Sequence, residues 1–260
     1  ALEARVAAQN AELRDLTARY QQELLEARQI QHAILPRALP TAPKTMVCAY
    51  YAPLEAVGGD LFDAWKISSH VLGLFIADVT GHGLPAAFIG AMTKMALAYA
   101  PKDNPCNMLR HMNDGLSPLI PEGRFVTAAA AFYDYKTGQL SVARAGHPAA
   151  YLWHKKEQAV ESISPKGLPL GIASGTAFLN YETTLEPGDK FLMVTDGLTE
   201  TPNMDGVLWG AGGVANEFAH AASLASFESC LSRLIDRQNA YAAGRIIRDD
   251  VTMIGLERRE

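Results

Sequence analysis

A chain of 260 residues with 48% hydrophobic content is long enough to bury one large core and to carry an appendage besides. A net charge of −5 at pH 7 excludes the broad basic face that nucleic-acid binding requires. The apolar runs fall well short of the roughly 20 residues that span a bilayer, and no signal peptide is evident, so neither a membrane nor a nucleic-acid partner is expected.

Residues 1–36 differ from everything after them. Neither Gly nor Pro occurs before Pro36, and Leu2, Val6, Leu13, Leu16, Tyr20, Ala27, Ile30 and Ile34 fall on the a and d positions of one heptad register, with Gln9 and Glu23 as polar exceptions. So narrow an apolar stripe predicts a linker helix that pairs with a second copy as a parallel coiled coil. Residues 37–260 form the second unit. Strands are expected at Met46–Tyr51, Phe62–Ile67 and Val71–Ala77, then helices over Leu84–Ala100 and 105–119. Further strands are expected at 125–135, 139–145, 149–154, 177–185 and 190–195, helices at 212–219 and 224–238, and a last strand at Val251–Leu256. Strand runs on either side of a helical pair point to a layered α+β fold. Cys48, Cys106 and Cys230 lie far apart without CxxC spacing, which predicts free thiols in a reducing, cytoplasmic compartment. The chain opens Ala-Leu-Glu rather than on Met, so a piece of a longer protein is expected.

Four acidic motifs carry the chemistry: Gly58-Gly59-Asp60-Leu61-Phe62-Asp63, Asp78-Val79-Thr80-Gly81-His82-Gly83, Thr195-Asp196-Gly197 and Arg248-Asp249-Asp250-Val251-Thr252. Three of them place an Asp against the end of an apolar run. Carboxylates gathered from strand ends make a site for hard divalent cations, which prefer oxygen ligands. Each motif alone is equally readable as a turn, since Asp and Gly are what turns require.

Taken in order, and together with Phe125-Val126-Thr127, Ala145-Gly146-His147-Pro148 and Gly167-Leu168-Pro169-Leu170-Gly171, these motifs resemble the metal-dependent PPM (PP2C-like) protein phosphatases. The branch is the bacterial one typified by SpoIIE and RsbU, with the phosphatase half of RssB-type response regulators nearest. The resemblance covers about Thr45 to Arg258. It implies a four-layer α-β-β-α sandwich and two Mn²⁺ or Mg²⁺ ions bridged by Asp78, with the Val79 carbonyl, Asp196 and Asp249 as further ligands and Asp60 acting directly or through water. The sequence leaves open which of Asp249 and Asp250 is the ligand; the family pattern favours Asp249. Such ions activate water and neutralise phosphoryl oxygens, so no cysteine nucleophile is needed. For His82 two roles stay open: general acid to the leaving group, or a partner that orients the loop through a carboxylate, the latter preferred. His147 reads as structural. The stretch Tyr51–Ala56 lacks the phosphate-holding arginine of eukaryotic relatives, and Arg124 reads as a solvated charge rather than its substitute.

The resemblance further implies a serine/threonine phosphatase acting as the output domain of a response regulator. Its substrate would be a phosphorylated STAS-type anti-sigma-factor antagonist in a partner-switching pathway, with a receiver or sensor domain upstream. The alternative is a catalytically silent adaptor that binds a sigma factor or an anti-sigma-factor component. A domain of that kind has no need of all four acidic motifs.

Overall fold

The computed structural model describes residues 2–224, 226–245 and 247–260; the expected helix over 224–238 crosses Ala225, which lies outside them. In chain order the elements are α1 (Leu2–Ile34), β1 (Thr45–Ala52), β2 (Leu61–Lys66), β3 (Val71–Val79), α2 (Gly83–Tyr99), α3 (Pro105–Leu116), β4 (Val126–Asp134) and β5 (Gln139–Ala145). They continue with β6 (Ala150–His154), β7 (Ala159–Ile163), β8 (Asn180–Thr184), β9 (Lys190–Val194), α4 (Asp196–Thr199), α5 (Gly210–Leu224), α6 (Phe227–Ala242) and β10 (Val251–Arg258).

β3 shows how the sequence builds layers. Leu72, Leu74 and Ile76 enter one core while Phe75, Ala77 and Val79 enter another, the period-two alternation of a strand that is apolar on both faces. Its sheet has the order β2-β3-β4-β5-β8, and the second sheet has the order β1-β10-β9-β6-β7. All the pairings between named strands are antiparallel. One core lies between the two sheets, with Phe62, Leu74, Ile76, Leu152, Phe191 and Ile254 among its members. A second is closed by α2 and α3 through Ile89, Leu97, Met108 and Met112, and a third by α5 and α6 through Phe218, Phe227 and Leu234. Three cores make four layers, the expected α-β-β-α sandwich. Two elements escaped the sequence reading. β7 is a short edge strand with only Ile163 buried, and α4 is a single turn following Thr195.

α1 stands apart from these layers. Leu13, Leu16 and Tyr20 on the heptad stripe are exposed, and only the last third of the helix meets its own domain, where Leu24, Ala27 and Ile34 are half-buried and Gln31 is buried. Part of the stripe therefore turns inward near its end, while Ile30 stays 70% exposed. Cys48 and Cys230 are buried and Cys106 is half-buried, and among the described residues none forms a disulfide. Among the described residues no helix is long and apolar enough to cross a membrane.

Candidate metal centre

The acidic motifs meet at one end of the sandwich because the strands that carry them are neighbours. Asp78 lies opposite Thr127 on β4, Thr195 follows β9, and Asp250 precedes β10, which pairs with both β9 and β1. The loop from 54 to 60 is held over this end by Asp250. One oxygen of its carboxylate accepts the backbone N–H of Leu54 at 2.7 Å, and the other accepts those of Gly59 at 2.7 Å and Asp60 at 3.2 Å. Gln31 of α1 holds the same loop from outside, donating to the Gly58 carbonyl at 2.6 Å and accepting from the Gly58 N–H at 3.1 Å. Gly59 has to be glycine: a Cβ there would stand 2.7 Å from the Val79 carbonyl oxygen, so the two acidic loops approach backbone to backbone.

Asp60 is buried, and its carboxylate accepts the hydroxyls of Thr195 at 2.8 Å and Thr252 at 2.6 Å. Burial and the neighbouring Asp78 push its carboxyl well above the usual range. Asp78 is pushed up to about 8, first by burial and then by Asp196, Asp249 and Asp250; a hydrogen bond with Asp60 works the other way. Asp196, on the first residue of α4, rises to about 6 from burial, Asp249 and Glu200. Asp249, at the mouth, is also raised, again first by burial. Its Oδ1 accepts the Asp250 N–H at 2.9 Å.

Among the described residues none of these carboxylates has a lysine or arginine partner. Nor is any group of three His, Cys, Asp or Glu side chains closed into a ready ion cage. The four aspartates share an uncompensated negative field in a corner that is buried at Asp60, half-buried at Asp78 and Asp196 and open to solvent at Asp249. The donor set fits a hard divalent cation: all oxygen, with one backbone carbonyl, Val79, adjoining the carboxylates. Asp250 differs from the others, since its oxygens are already taken by the three backbone donors.

His82 caps α2 on the rim, flanked by Gly81 (φ 91°) and Gly83 (φ 72°), with its side chain 77% exposed and Nδ1 3.0 Å from the Glu55 carboxylate. The ring is thus paired with a carboxylate outside the four aspartates. His147 is fully buried and pairs through Nδ1 with the Thr127 hydroxyl at 2.9 Å; burial lowers it to about 3, so it stays neutral. Arg124 departs from its reading as a solvated charge. It is half-buried and donates to the Thr80 carbonyl at 2.8 Å, while Thr80 and Phe125 are joined by reciprocal bonds. Asp63, inside the first motif, faces away and pairs with Lys94 of α2 at 2.7 Å. The roles of Gln31, Arg124, Thr195 and Thr252 went unread. The two threonines sit inside quoted motifs, which was a usable signal; Gln31 lay in the heptad stretch and offered none.

Two five-stranded antiparallel sheets between helical layers, with an acidic cluster at one end, define a PP2C-like domain. The chain belongs to the SpoIIE family: the model of Stage II sporulation protein E matches residues 68–259. Phosphoserine phosphatase RsbU of Bacillus subtilis is 27% identical over 198 residues, which cover 75% of this chain and 59% of that protein. The chain thus spans little more than half of that relative. Among solved structures, the SiaA-PP2C domain of Pseudomonas aeruginosa superposes with a TM-score of 0.81 at 21% identity, covering 94% of this chain and 99% of its own. The catalytic domain of the serine/threonine phosphatase PstP, solved in complex with 2 manganese ions, superposes with a TM-score of 0.58 at 15% identity, covering 83% and 99%.

Proposed function

We propose that this chain is a metal-dependent phosphatase that hydrolyses phosphoserine or phosphothreonine on a protein. The observation that carries the reading is the set of four aspartates with raised carboxyls and no cationic partner among the described residues. Like charges are held together in a partly buried corner at a cost in stability unless a counter-charge joins them. Asp78, the Val79 carbonyl, Asp196 and Asp249 would hold Mn²⁺ or Mg²⁺, two ions by analogy with PstP, and Asp60 would act directly or through water. Bound ions supply a water activated near neutral pH and charge to offset the phosphoryl oxygens.

The chain's own residues do the placing. Thr195 and Thr252 fix the Asp60 carboxylate, while Arg124 and Phe125 hold Thr80 and so set the backbone that carries Asp78 and Val79. Asp250 ties the Gly59-Asp60 segment to β10, and this supports Asp249 as the ligand of that pair. His82, open to solvent and paired with Glu55, stands where it can exchange a proton with a leaving group entering from the rim.

RsbU is named a phosphoserine phosphatase, and on that likeness the substrate is a phosphorylated STAS-type antagonist within a partner-switching pathway. The chain would be the output half of a response regulator, with a receiver or sensor upstream and a dimer formed through α1. The test combines calorimetry and turnover. Wild type should bind Mn²⁺ and release phosphate from phosphoserine protein, and excess EDTA should abolish release. Asp78→Asn and Asp196→Asn should each lose at least about a hundredfold in rate while still folding. Undiminished turnover in EDTA refutes the reading.

A further inference from the structure

Beside the aspartates lies a cavity of about 390 Å³ that the catalytic reading does not use. It begins at Gly197 and Asp249, next to the candidate ligands, and runs outward past Glu200, Pro202, Leu208, Arg245 and Arg248, so its lining carries two guanidiniums against one carboxylate that is not a candidate ligand. Its outer wall is an ordered hairpin. Pro202 and Leu208 pair, and the Asn203 side chain accepts the N–H groups of Asp205 and Val207 at 3.0 and 2.9 Å. The Tyr241 hydroxyl reaches the Val207 carbonyl at 3.2 Å, anchoring the hairpin to α6. Yet this fixed loop turns Met204, Val207 and Leu208 to solvent, at 61%, 58% and 51% exposure. Arg245 and Arg248 are exposed too, and among the described residues neither guanidinium has a hydrogen bond or an ion pair. Surface arginines commonly find a carboxylate. Here two stand unpaired in an acidic chain, beside rigidly presented apolar side chains and one step from the reacting centre.

We infer that this cavity is a substrate-specificity subsite that takes an acidic residue, flanked by an apolar one, close in sequence to the phosphorylated serine or threonine. The inference rests on the phosphatase reading. An extended chain advances about 3.3 Å per residue, so a phosphoresidue at the aspartates carries its immediate neighbours into the cavity. Two guanidiniums present the planar donor forks that suit a carboxylate, and the hairpin offers dry contact to the adjacent side chain. The subsite also stands in for the arginine missing from Tyr51–Ala56: it recognises the phosphoprotein beside the phosphate rather than at it.

The experiment uses two labelled peptides carrying a non-hydrolysable phosphonate analogue of phosphoserine, one with Asp and Leu beside it and one with Lys in place of the Asp. Fluorescence anisotropy with the complete chain in Mn²⁺ reads their relative affinity. The acidic peptide should bind about tenfold more tightly, since exposed ion pairs contribute up to about fivefold each. Arg245→Ala with Arg248→Ala should bring the ratio near one, and Arg248→Glu should reverse it. Equal binding of the two peptides by wild type, or a ratio that survives both variants, overturns the subsite. Turnover of the matching phosphoserine peptides and of p-nitrophenyl phosphate is measured separately. No turnover of any of these with Mn²⁺ overturns the phosphatase reading, whatever the binding ratio shows.

Discussion

At the scale of single residues, the aspartates are held at odds with their own charge. A carboxyl whose value is raised on folding keeps a proton in the native state that the unfolded chain has already released. Between the ordinary value of 3.8 and the raised ones, about 6 for Asp196 and about 8 for Asp78, the native state therefore binds more protons. These carboxyls together lower the stability of the metal-free protein as pH rises from about 4 to 8, opposed below about 6.5 by the buried, neutral His147. A divalent ion replaces the proton, so added Mn²⁺ should raise the melting temperature more at pH 8 than at pH 5.5, and Asp78→Asn should flatten the metal-free profile. Thermal scans across that range check it; a metal-free melting temperature that is constant or rising above about pH 6.5 would contradict it. Asp78, Asp196 and Asp250 stood out in the sequence because each adjoins an apolar run, whereas Asp60 was singled out only through its place in the four-motif series. The anchoring of the loop by Asp250 was not legible, because it depends on which carboxylate meets a backbone about 190 residues away.

Among the elements, α1 is read twice over. Its heptad stripe is visible in the sequence, and Leu13, Leu16 and Tyr20 on it are exposed, the residues a proposed pairing seam would cover. Its last turns do something no heptad reveals, bringing Gln31 onto Gly58. Two truncations separate these jobs. Removing residues 1–23 should leave a monomer that keeps the Gln31 clamp and its metal affinity. Removing 1–35 should also give a folded monomer, but with weaker Mn²⁺ binding, since the Gly58–Asp60 loop loses one of its two holds. Sedimentation and calorimetry distinguish them. A monomer for the complete chain at tens of micromolar, about where a five-heptad coil should pair, would sink the dimer. β2 through β6 were read well because each is a short, mostly apolar run set between turn residues. β7, with one buried residue, and the single turn of α4 leave too little periodicity to detect.

The whole molecule is organised by strands that meet across great distances in sequence. β10 lies between β1 and β9, and Thr45 pairs with Arg258. A layered α+β class was legible from strand runs on either side of a helical pair, and the four layers came from the family resemblance; strand order was not legible, because pairing partners so far apart leave no local trace. The placement of β10 has a consequence for synthesis. A chain emerging from the ribosome amino end first completes β1, the Gly58–Asp60 loop and β3 long before the residues that fasten them exist. Until Asp250 and Thr252 emerge, Asp60 lacks the second of its two hydroxyl partners and its loop lacks the anchor at Leu54, Gly59 and Asp60. Non-local pairing of this kind is slow to form. The acidic corner is thus the last part of the molecule to be assembled, and a nascent or carboxy-terminally clipped chain lacks the contacts that set Asp60 beside the other aspartates.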